Sequence, residues 1–317
     1  MVNTTFHSDY SRFKDRLWIW ESVNQFIRES SFQDGIHQIG LQDGRYFDML
    51  VRGVNGRYSN LPVFFNGAVI RSNSAPPYFS GSKVAVDAAS PVISIADPTL
   101  NLAGDLGIGW YTGGIGSKFD AALVTVLNFL RLRAGANLIL VGGSAGGFAA
   151  LHFAVLLKES ALVWNPQIDF LKYNPEHVSK FLSTRFESPS WMETPSEIRN
   201  ENGQIINKVA SSFLARTGVE SEISNLNGLD RLVYLQNRSD NHEKIHALPV
   251  RERSQFTPIG SGIYNKYDKT MLVAEFNEGH RAPSRELITY ALIRMLKRDT
   301  TTLSIAKNIL NKFQITV

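Results

Sequence analysis

The sequence of 317 residues contains no cysteine. Disulfide bonds, zinc–thiolate sites and a cysteine nucleophile are therefore excluded. Long apolar runs are also absent: no stretch approaches the about 18 residues that a membrane-spanning helix needs, so we expect no membrane span. Residues 1–20 carry a charge every few positions and lack the apolar core of a secretory signal, which favours a cytoplasmic location.

Blocks of like charge are missing as well. The chain has 33 basic and 29 acidic side chains, a net charge of +4, and its basic residues are scattered. Such a pattern indicates a solvated surface, and we expect no nucleic-acid partner. The hydrophobic share of 43% and the charged share of 20% are typical of a soluble globular protein with a sizeable core.

Apolar segments alternate with amphipathic ones along the chain. Runs that favour strands are found at 45–54, 61–69, 91–100, 137–141, 161–167, 230–237 and 269–277. Helical spacing of apolar residues is found at 11–29, 117–135, 145–159 and 284–299. Strands that alternate with helices predict an α/β fold, in which a mostly parallel central sheet carries helices on both faces.

This alternation is interrupted once. Residues 168–228 are polar, contain three prolines and have only patchy helical periodicity, which indicates an inserted cap or lid. The sequence therefore predicts three parts: an N-terminal helical segment at 1–40, an α/β core at 41–167 and 229–317, and a cap at 168–228.

The segment "GGSAGG" (142–147) follows an apolar strand and precedes a helix rich in alanine and glycine. A G-x-S-x-G pattern in that context is typical of a nucleophile elbow, in which a serine occupies a strained turn above the sheet. Ser144 is thus the candidate nucleophile, and we expect neighbouring backbone to approach Gly142 and Gly146 closely. The alternative is an ordinary glycine-rich turn. A phosphate-binding loop is disfavoured because the segment lacks the lysine of that motif.

A serine nucleophile needs a base and an acid that orients the base, and both follow the serine along the chain in this arrangement. His280 lies on a loop directly after the last predicted strand, and we expect it to be the base. Asp240 follows the preceding predicted strand and is the favoured acid. Asp169, which follows the strand at 161–167, is the alternative acid. The alternative role for His280 is that of a surface-loop histidine.

Acyl transfer also needs N–H groups that bind the oxyanion. We expect one from Ala145, the residue after the nucleophile, and one from Ala68, in the segment "NGA". Candidate substrate contacts at the same edge of the predicted sheet are Asn66, Trp110, Asn165 and His242.

The segment "HEKIH" (242–246) matches the H-E-x-x-H signature of zinc peptidases. A zinc hydrolase that uses His242 and His246 is therefore an alternative function. Its context is poor, because no H-x-x-G-x-x-H continuation follows and Pro249 stands three residues after the second histidine. We expect no metal and no other cofactor.

These residues give the chain a resemblance to the α/β-hydrolase superfamily, from about residue 45 to residue 299. The segments "VFFNGAV", "ISIADPTL", "GWYTG", "GGSAGGFAAL", "VWNPQ" and "NEGHR" together resemble hydrolase-fold proteins of bacterial capsule and cell-surface polysaccharide biosynthesis, some of which are sugar O-acetyltransferases. The resemblance implies a serine esterase or sugar O-acyltransferase that acts on a small-molecule or carbohydrate ester through an acyl-enzyme. A non-catalytic hydrolase-fold partner in polysaccharide assembly is a further alternative.

Overall fold

The computed structural model describes residues 8–186, 214–260 and 262–317. Within these residues one sheet contains β1 (Leu17–Trp20), β2 (Gly35–Gly40), β3 (Tyr46–Arg52), β4 (Asn60–Phe65), β5 (Val92–Ile95), β6 (Asn137–Gly143), β7 (Ser160–Trp164), β8 (Leu232–Asn237), β9 (Thr257–Gly260), β10 (Ile263–Lys266) and β11 (Lys269–Ala274). The α-helices of the same residues are α1 (Val23–Glu29), α2 (Ser82–Asp87), α3 (Phe119–Ala134), α4 (Ser144–Leu157), α5 (Pro175–Phe186), α6 (Leu248–Arg253), α7 (Arg285–Lys297) and α8 (Thr302–Phe313).

The strand order is β1-β2-β3-β5-β4-β6-β7-β8-β11-β10-β9. The central strands from β5 to β11 in that order all run parallel to one another. Antiparallel pairs extend the sheet on both sides, from β5 to β3 and from β11 to β10. The mostly parallel central sheet predicted from the sequence is therefore confirmed.

A hydrophobic cluster lies on each face of the sheet. Side chains alternate between the faces along β6: Leu140 belongs to the first cluster, and its neighbour Val141 belongs to the second. Helices α1, α3 and α4 contribute to the first cluster, with Phe153 as one example. Helices α2, α7 and α8 contribute to the second, with Leu292 as one example. Helices thus cover both faces, as the sequence predicts.

The carboxyl ends of the central strands meet at one edge of the sheet. Pairing sets Phe65 of β4 opposite Gly142 of β6, and Asn237 of β8 opposite Ala274 of β11. The segments that follow these strands therefore lie near one another, which is where open α/β sheets bind their ligands.

The helix predicted at 11–29 is wrong in its first half. Leu17–Trp20 is a strand that pairs in parallel with β2, and the helix begins only at Val23. Leu17 packs against the second cluster and Trp18 against the first, so both faces of this strand are apolar. When both faces of a strand are apolar, its apolar residues also fall at positions that would form the apolar face of a helix. The spacing of apolar residues at 11–29 therefore predicts a helix where the structure has a strand. Strand β2 likewise lies in the segment predicted to be helical.

The described part of the predicted cap packs on the face of the first cluster. Phe181 of α5 contacts Trp110 with ring centroids 5.1 Å apart, and it contacts Phe170 at 5.6 Å. Residues 187–213 of the predicted cap lie outside the described residues, and the domain boundaries stay a prediction. Among the residues that the structure describes, no helix combines the length and the apolar character needed to span a bilayer.

Candidate active site

Ser144 joins β6 to α4 in a backbone conformation that is rare for a residue with a side chain. Its φ is 55°, in the left-handed region, where crowding of the Cβ strains the turn. A Cβ on Gly142 would lie 2.2 Å from the Gly146 oxygen, and a Cβ on Gly146 would lie 2.4 Å from the Phe65 oxygen. The close approach predicted at these two glycines is therefore confirmed. The first N–H groups of α4 are directed at the same point.

Ser144, His280 and Asp240 form one chain of hydrogen bonds. The Ser144 Oγ lies 2.9 Å from His280 Nε2, and His280 Nδ1 lies 2.6 Å from Asp240 Oδ2. A carboxylate only accepts hydrogen bonds, so His280 Nδ1 carries the proton of the ring and donates a hydrogen bond to Asp240. Nε2 then accepts from the serine hydroxyl, which is the arrangement a general base requires.

Asp240 is 5% exposed, whereas the side chain of His280 is 39% exposed. Burial by itself would raise the pKa of Asp240. The hydrogen bond from His280 and the nearby His242, whose backbone N–H donates to Asp240 Oδ1 at 3.0 Å, outweigh burial and hold that pKa below its ordinary value. Asp240 is therefore an ionised acceptor beside the imidazole.

Two buried asparagines hold the loop that carries His280. The Nδ2 of Asn237, at the end of β8, donates to the carbonyl oxygens of Gly279 and Arg281, both at 2.7 Å. The Nδ2 of Asn165, directly after β7, donates to the Arg281 oxygen at 3.1 Å, and its Oδ1 accepts from the Asn237 N–H at 2.8 Å. The residues on both sides of His280 are thereby fixed to the ends of two central strands.

Asn237 is completely buried, and both the nitrogen and the oxygen of its side-chain amide form hydrogen bonds. Besides its two donated bonds, its Oδ1 accepts from the backbone N–H groups of Phe276 and Asn277 at 3.1 and 3.2 Å. No sequence motif points to Asn237, and the sequence predicts only a substrate contact for Asn165. A signal was present, because an amide at the end of an apolar strand has to find partners when it is buried.

The residues expected to bind the oxyanion lie beside Ser144. Ala145 is in the first turn of α4, where the helix itself offers its N–H no acceptor. Segment 66–68 approaches Ser144: a Cβ on Gly67 would lie 3.8 Å from the Ser144 Cβ. Ala68 is exposed at the end of that segment. The role of Ala145 and Ala68 as oxyanion donors stays a prediction.

Asn66 and Trp110 are engaged within the protein. The Asn66 Oδ1 accepts from the Tyr111 hydroxyl at 2.8 Å, and its Nδ2 donates to the Gly67 oxygen at 2.9 Å. Trp110 is 1% exposed, and its indole N–H donates to the side chain of Gln167. The substrate contact predicted for Trp110 is therefore corrected, since its ring lies within the first hydrophobic cluster.

His242 and His246 are both buried behind the imidazole of the proposed base. The His242 ring lies 4.2 Å from the His280 ring, and its Nδ1 donates to the Asn165 oxygen at 3.3 Å. Burial, followed by the charge of His280, lowers the pKa of His242 to about 4. The His246 ring lies 4.6 Å from that of His242, and burial holds its pKa well below the ordinary value. Both imidazoles are neutral at physiological pH.

Among the described residues, three side chains have ligand atoms close enough together to hold one metal ion, and His246 is not one of them. Asp240, His242 and His280 have ligand atoms within 4.8 Å of one another. Two of these three are already bonded to each other. His246 instead accepts a long contact of 3.5 Å from the Asp169 N–H. The third ligand that the zinc alternative requires for its histidine pair is therefore not found among the described residues.

Asp169, the alternative acid, has its own partners. Its Oδ1 accepts from the Leu171 N–H at 3.1 Å, and its Oδ2 pairs with Lys172 at 3.3 Å. Asp169 thereby caps the short turn at Phe170–Lys172. Asp240, and not Asp169, contacts the imidazole of His280.

No protein-family model matches the sequence, and no curated protein matches it. Among solved structures, a chain of the Glycosylation Associate Protein (Gap123) complex from Streptococcus agalactiae is similar over 83% of this chain, with 14% identity and a TM-score of 0.55. This chain spans 46% of that longer one. The capsule O-acetyltransferase of Neisseria meningitidis serogroup A, in complex with caged gadolinium, is similar over 82% of this chain and 93% of its own, with 12% identity and a TM-score of 0.50. At such identities the likeness concerns the fold alone, and with the parallel sheet and the elbow at Ser144 it identifies this chain as a protein of the α/β-hydrolase fold.

Proposed function

We propose that this chain is an acyl-transfer enzyme that cleaves or transfers an ester-linked acyl group through a serine nucleophile. Ser144 attacks the acyl carbonyl, His280 takes the hydroxyl proton, and Asp240 orients the imidazole and stabilises its charged form. One observation carries the proposal: the continuous pair of hydrogen bonds, 2.9 Å from Ser144 to His280 and 2.6 Å from His280 to Asp240.

The reaction proceeds in two steps. When the Ser144 Oγ bonds to the carbonyl carbon, the carbonyl oxygen takes up negative charge, which the N–H groups of Ala145 and Ala68 bind. The ester C–O bond then breaks, and the departing alcohol oxygen takes the proton from His280 Nε2, which leaves an acyl-enzyme. In the second step an acceptor hydroxyl gives its proton to His280 and its oxygen bonds to the acyl carbon. The bond to the Ser144 Oγ then breaks, and Oγ takes the proton back from His280 Nε2.

The electrostatics of the site support this scheme. Asp240 is ionised, and its negative charge favours the imidazolium that forms on His280. A positive charge on His242, whose ring is 4.2 Å away, would oppose that imidazolium. The low pKa of His242 removes this opposition at neutral pH. The scheme needs no metal or cofactor, and a cytoplasmic location is part of the proposal.

The acceptor distinguishes the two forms of the reaction. Water makes the protein an esterase, and a sugar hydroxyl makes it an O-acyltransferase, since the same triad serves both. The fold likeness to a capsule O-acetyltransferase is the reason to test carbohydrate acceptors first.

The proposal is tested by turnover of acyl esters, with and without carbohydrate acceptors, followed by the mass of the product. We expect Ser144→Ala to lose at least about 10³-fold in turnover, and Ser224→Ala, at an exposed loop serine, to lose none. Equal turnover by wild type and Ser144→Ala would overturn the proposal. If the activity that remains in Ser144→Ala also required stoichiometric zinc, the zinc hydrolase alternative would replace the serine proposal.

A further inference from the structure

We propose that the acyl group of the substrate enters an apolar pocket between α2 and α7, and that this group is a linear chain longer than acetyl. The inference rests on the acyl-transfer function proposed above and names the chemical class of its acyl group. A cleft of about 550 Å³ opens beside Ser144 and His280. That volume lies within the range of small-molecule sites.

The floor of the pocket consists of side chains on one face of three neighbouring strands. Phe64 of β4, Val141 of β6 and Trp164 of β7 line the cleft. Phe64 and Val141 belong to the second hydrophobic cluster, and Trp164 packs against it. This is the face of the sheet opposite to the one covered by α4. The pocket therefore extends from the nucleophile towards the side of the sheet that α2 and α7 cover.

The walls of the pocket are mostly apolar too, with Ser80, just before α2, as a polar member. Val84 of α2 and Ile288 of α7 line it, together with Pro283 of the loop after His280. Apolar walls cannot satisfy sugar hydroxyls, which lose hydrogen bonds to water on burial, whereas they suit a hydrocarbon chain. Arg285, the cation of the lining, is 55% exposed and pairs with Asp87 at 2.9 Å, so its charge is compensated at the surface.

Glycines fix the two aromatic rings of the floor. A Cβ on Gly81 would lie 2.1 Å from the Phe64 ring, and a Cβ on Gly143 would lie 2.0 Å from the Trp164 ring. Each ring thus packs directly on glycine backbone, at a distance that a side chain on either glycine would not allow. Both glycines are needed for the floor to have its present shape.

Polar groups line the cleft on the other side of the nucleophile. Tyr173, which follows the short turn at Phe170–Lys172, lines the cleft and packs near His242 with ring centroids 5.9 Å apart. Its hydroxyl offers a donor and an acceptor. We therefore assign the alcohol portion of the ester, with its hydroxyls, to the Tyr173 side and the acyl chain to the α2–α7 side.

The size of the expected effect follows from the burial of methylene groups. An acetyl group leaves the pocket unfilled. Each further methylene group of the acyl chain that the pocket buries should raise kcat/KM about fourfold. The rise should stop once the chain is longer than the pocket.

The test uses aryl esters with one common leaving group and acetyl, butyryl, hexanoyl or octanoyl chains. We expect wild type to prefer a longer chain over acetyl by at least about tenfold in kcat/KM. Val84→Phe should fill the pocket and shift the optimum to shorter chains, and Val84→Ala should shift it to longer ones. The matched control is Val86→Phe on the same helix, because Val86 is 73% exposed and should leave the profile unchanged.

Labelling of Ser144 by a small fluorophosphonate distinguishes failure of this inference from failure of the proposed function. If Ser144 is labelled, but acetyl esters react fastest and the Val84 variants keep the wild-type chain-length profile, the pocket assignment is overturned and the proposed function stands. If folded wild type is not labelled and turns over no ester, the proposed function fails, and this inference fails with it.

Discussion

The side-chain nitrogen of Asn237 lies 2.7 Å from the carbonyl oxygen of Gly279, the residue before His280. Through this bond the end of a central strand fixes the loop that carries the proposed base. The hydrogen bonds between His280, Ser144 and Asp240 therefore depend on a buried amide that acts through the backbone. Such positioning matters, since a displacement of about 1 Å can cost about 100-fold in rate.

Asn237→Ala should reduce kcat about 100-fold and leave KM nearly unchanged, because the loop loses its position while the cleft keeps its lining. It should also lower the free energy of unfolding by about 3 kcal/mol, since four backbone groups lose a buried partner. Steady-state kinetics and denaturant unfolding measure the two effects. Asn308→Ala, at an exposed position of α8, is the control. A wild-type kcat in a folded Asn237→Ala protein would refute the positioning role.

Asp240→Asn should lower kcat/KM by about 10⁴-fold, because an amide NH₂ at this position favours the wrong tautomer of His280. The side chain keeps its size, so the fold should be retained. Asp169→Asn should change kcat/KM by less than about threefold, since Asp169 caps a turn and pairs with Lys172. The comparison of the two variants identifies the acid, and the reverse order of effects would assign that role to Asp169.

The need to keep His242 neutral in the folded protein should lower the free energy of unfolding in mild acid. Its pKa is about 4 in the folded chain against an ordinary value of 6.5, so the unfolded chain binds more protons between these values. The stability that depends on neutral His242 is complete above pH 6.5 and is lost as the pH falls towards 4, by about 1.4 kcal/mol per pH unit. Asp240, His246 and His280 face the same ring.

His242→Gln should remove this dependence, because glutamine does not titrate. The measurement is denaturant unfolding of both proteins between pH 4.5 and 7. At each pH the free energy of unfolding of the variant is subtracted from that of wild type. Contributions from groups that do not contact His242 are common to both proteins and cancel in that difference. His177→Gln, at an exposed position of α5, should leave the wild-type slope. A constant difference for His242→Gln would show that His242 does not titrate in this way.

Gly142→Ala should destabilise the protein by about 3 kcal/mol or prevent folding, because the new Cβ would meet the Gly146 oxygen at 2.2 Å. Neither atom can move freely, since both belong to the backbone around the elbow. In Gly56→Ala the nearest atom would be the Tyr58 hydroxyl at 3.5 Å, an ordinary contact, so the change should be small. Thermal unfolding of the two variants side by side is the measurement. Equal melting temperatures would contradict the steric account of the elbow.

Much of the fold could be predicted from local patterns. Parallel strands that are buried on both faces appear as apolar runs, and each predicted run of the central sheet overlaps a strand. The N-terminal strand was missed because the half-buried Leu17 and Trp18 pack on opposite faces, a pattern that helical spacing also produces. Strands β9 and β10 were missed because the residues of β9 are exposed and those of β10 are mostly half-buried, so neither forms an apolar run.

The candidate site was only partly predictable. Motif, chain order and position after a strand were enough to name Ser144, Asp240 and His280 as residues that should lie together. The side-chain hydrogen bonds of Asn165 and Asn237 join residues far apart in the chain. The position of each amide after an apolar strand indicates that it needs partners, but it does not indicate which residues those partners are. The burial of Trp110 was also hidden, because a tryptophan beside a glycine has the same sequence signature in a core as at a cleft.

The most direct test of the central claim is the mass of the peptide that contains Ser144 after the folded protein reacts with a fluorophosphonate. Attack by a Ser144 that His280 activates predicts one phosphonyl adduct on Ser144 in wild type, none at that position in Ser144→Ala, and slow reaction in His280→Ala, which lacks the proposed base. Folded wild-type protein without an adduct, or an adduct that forms equally fast in His280→Ala, would contradict it.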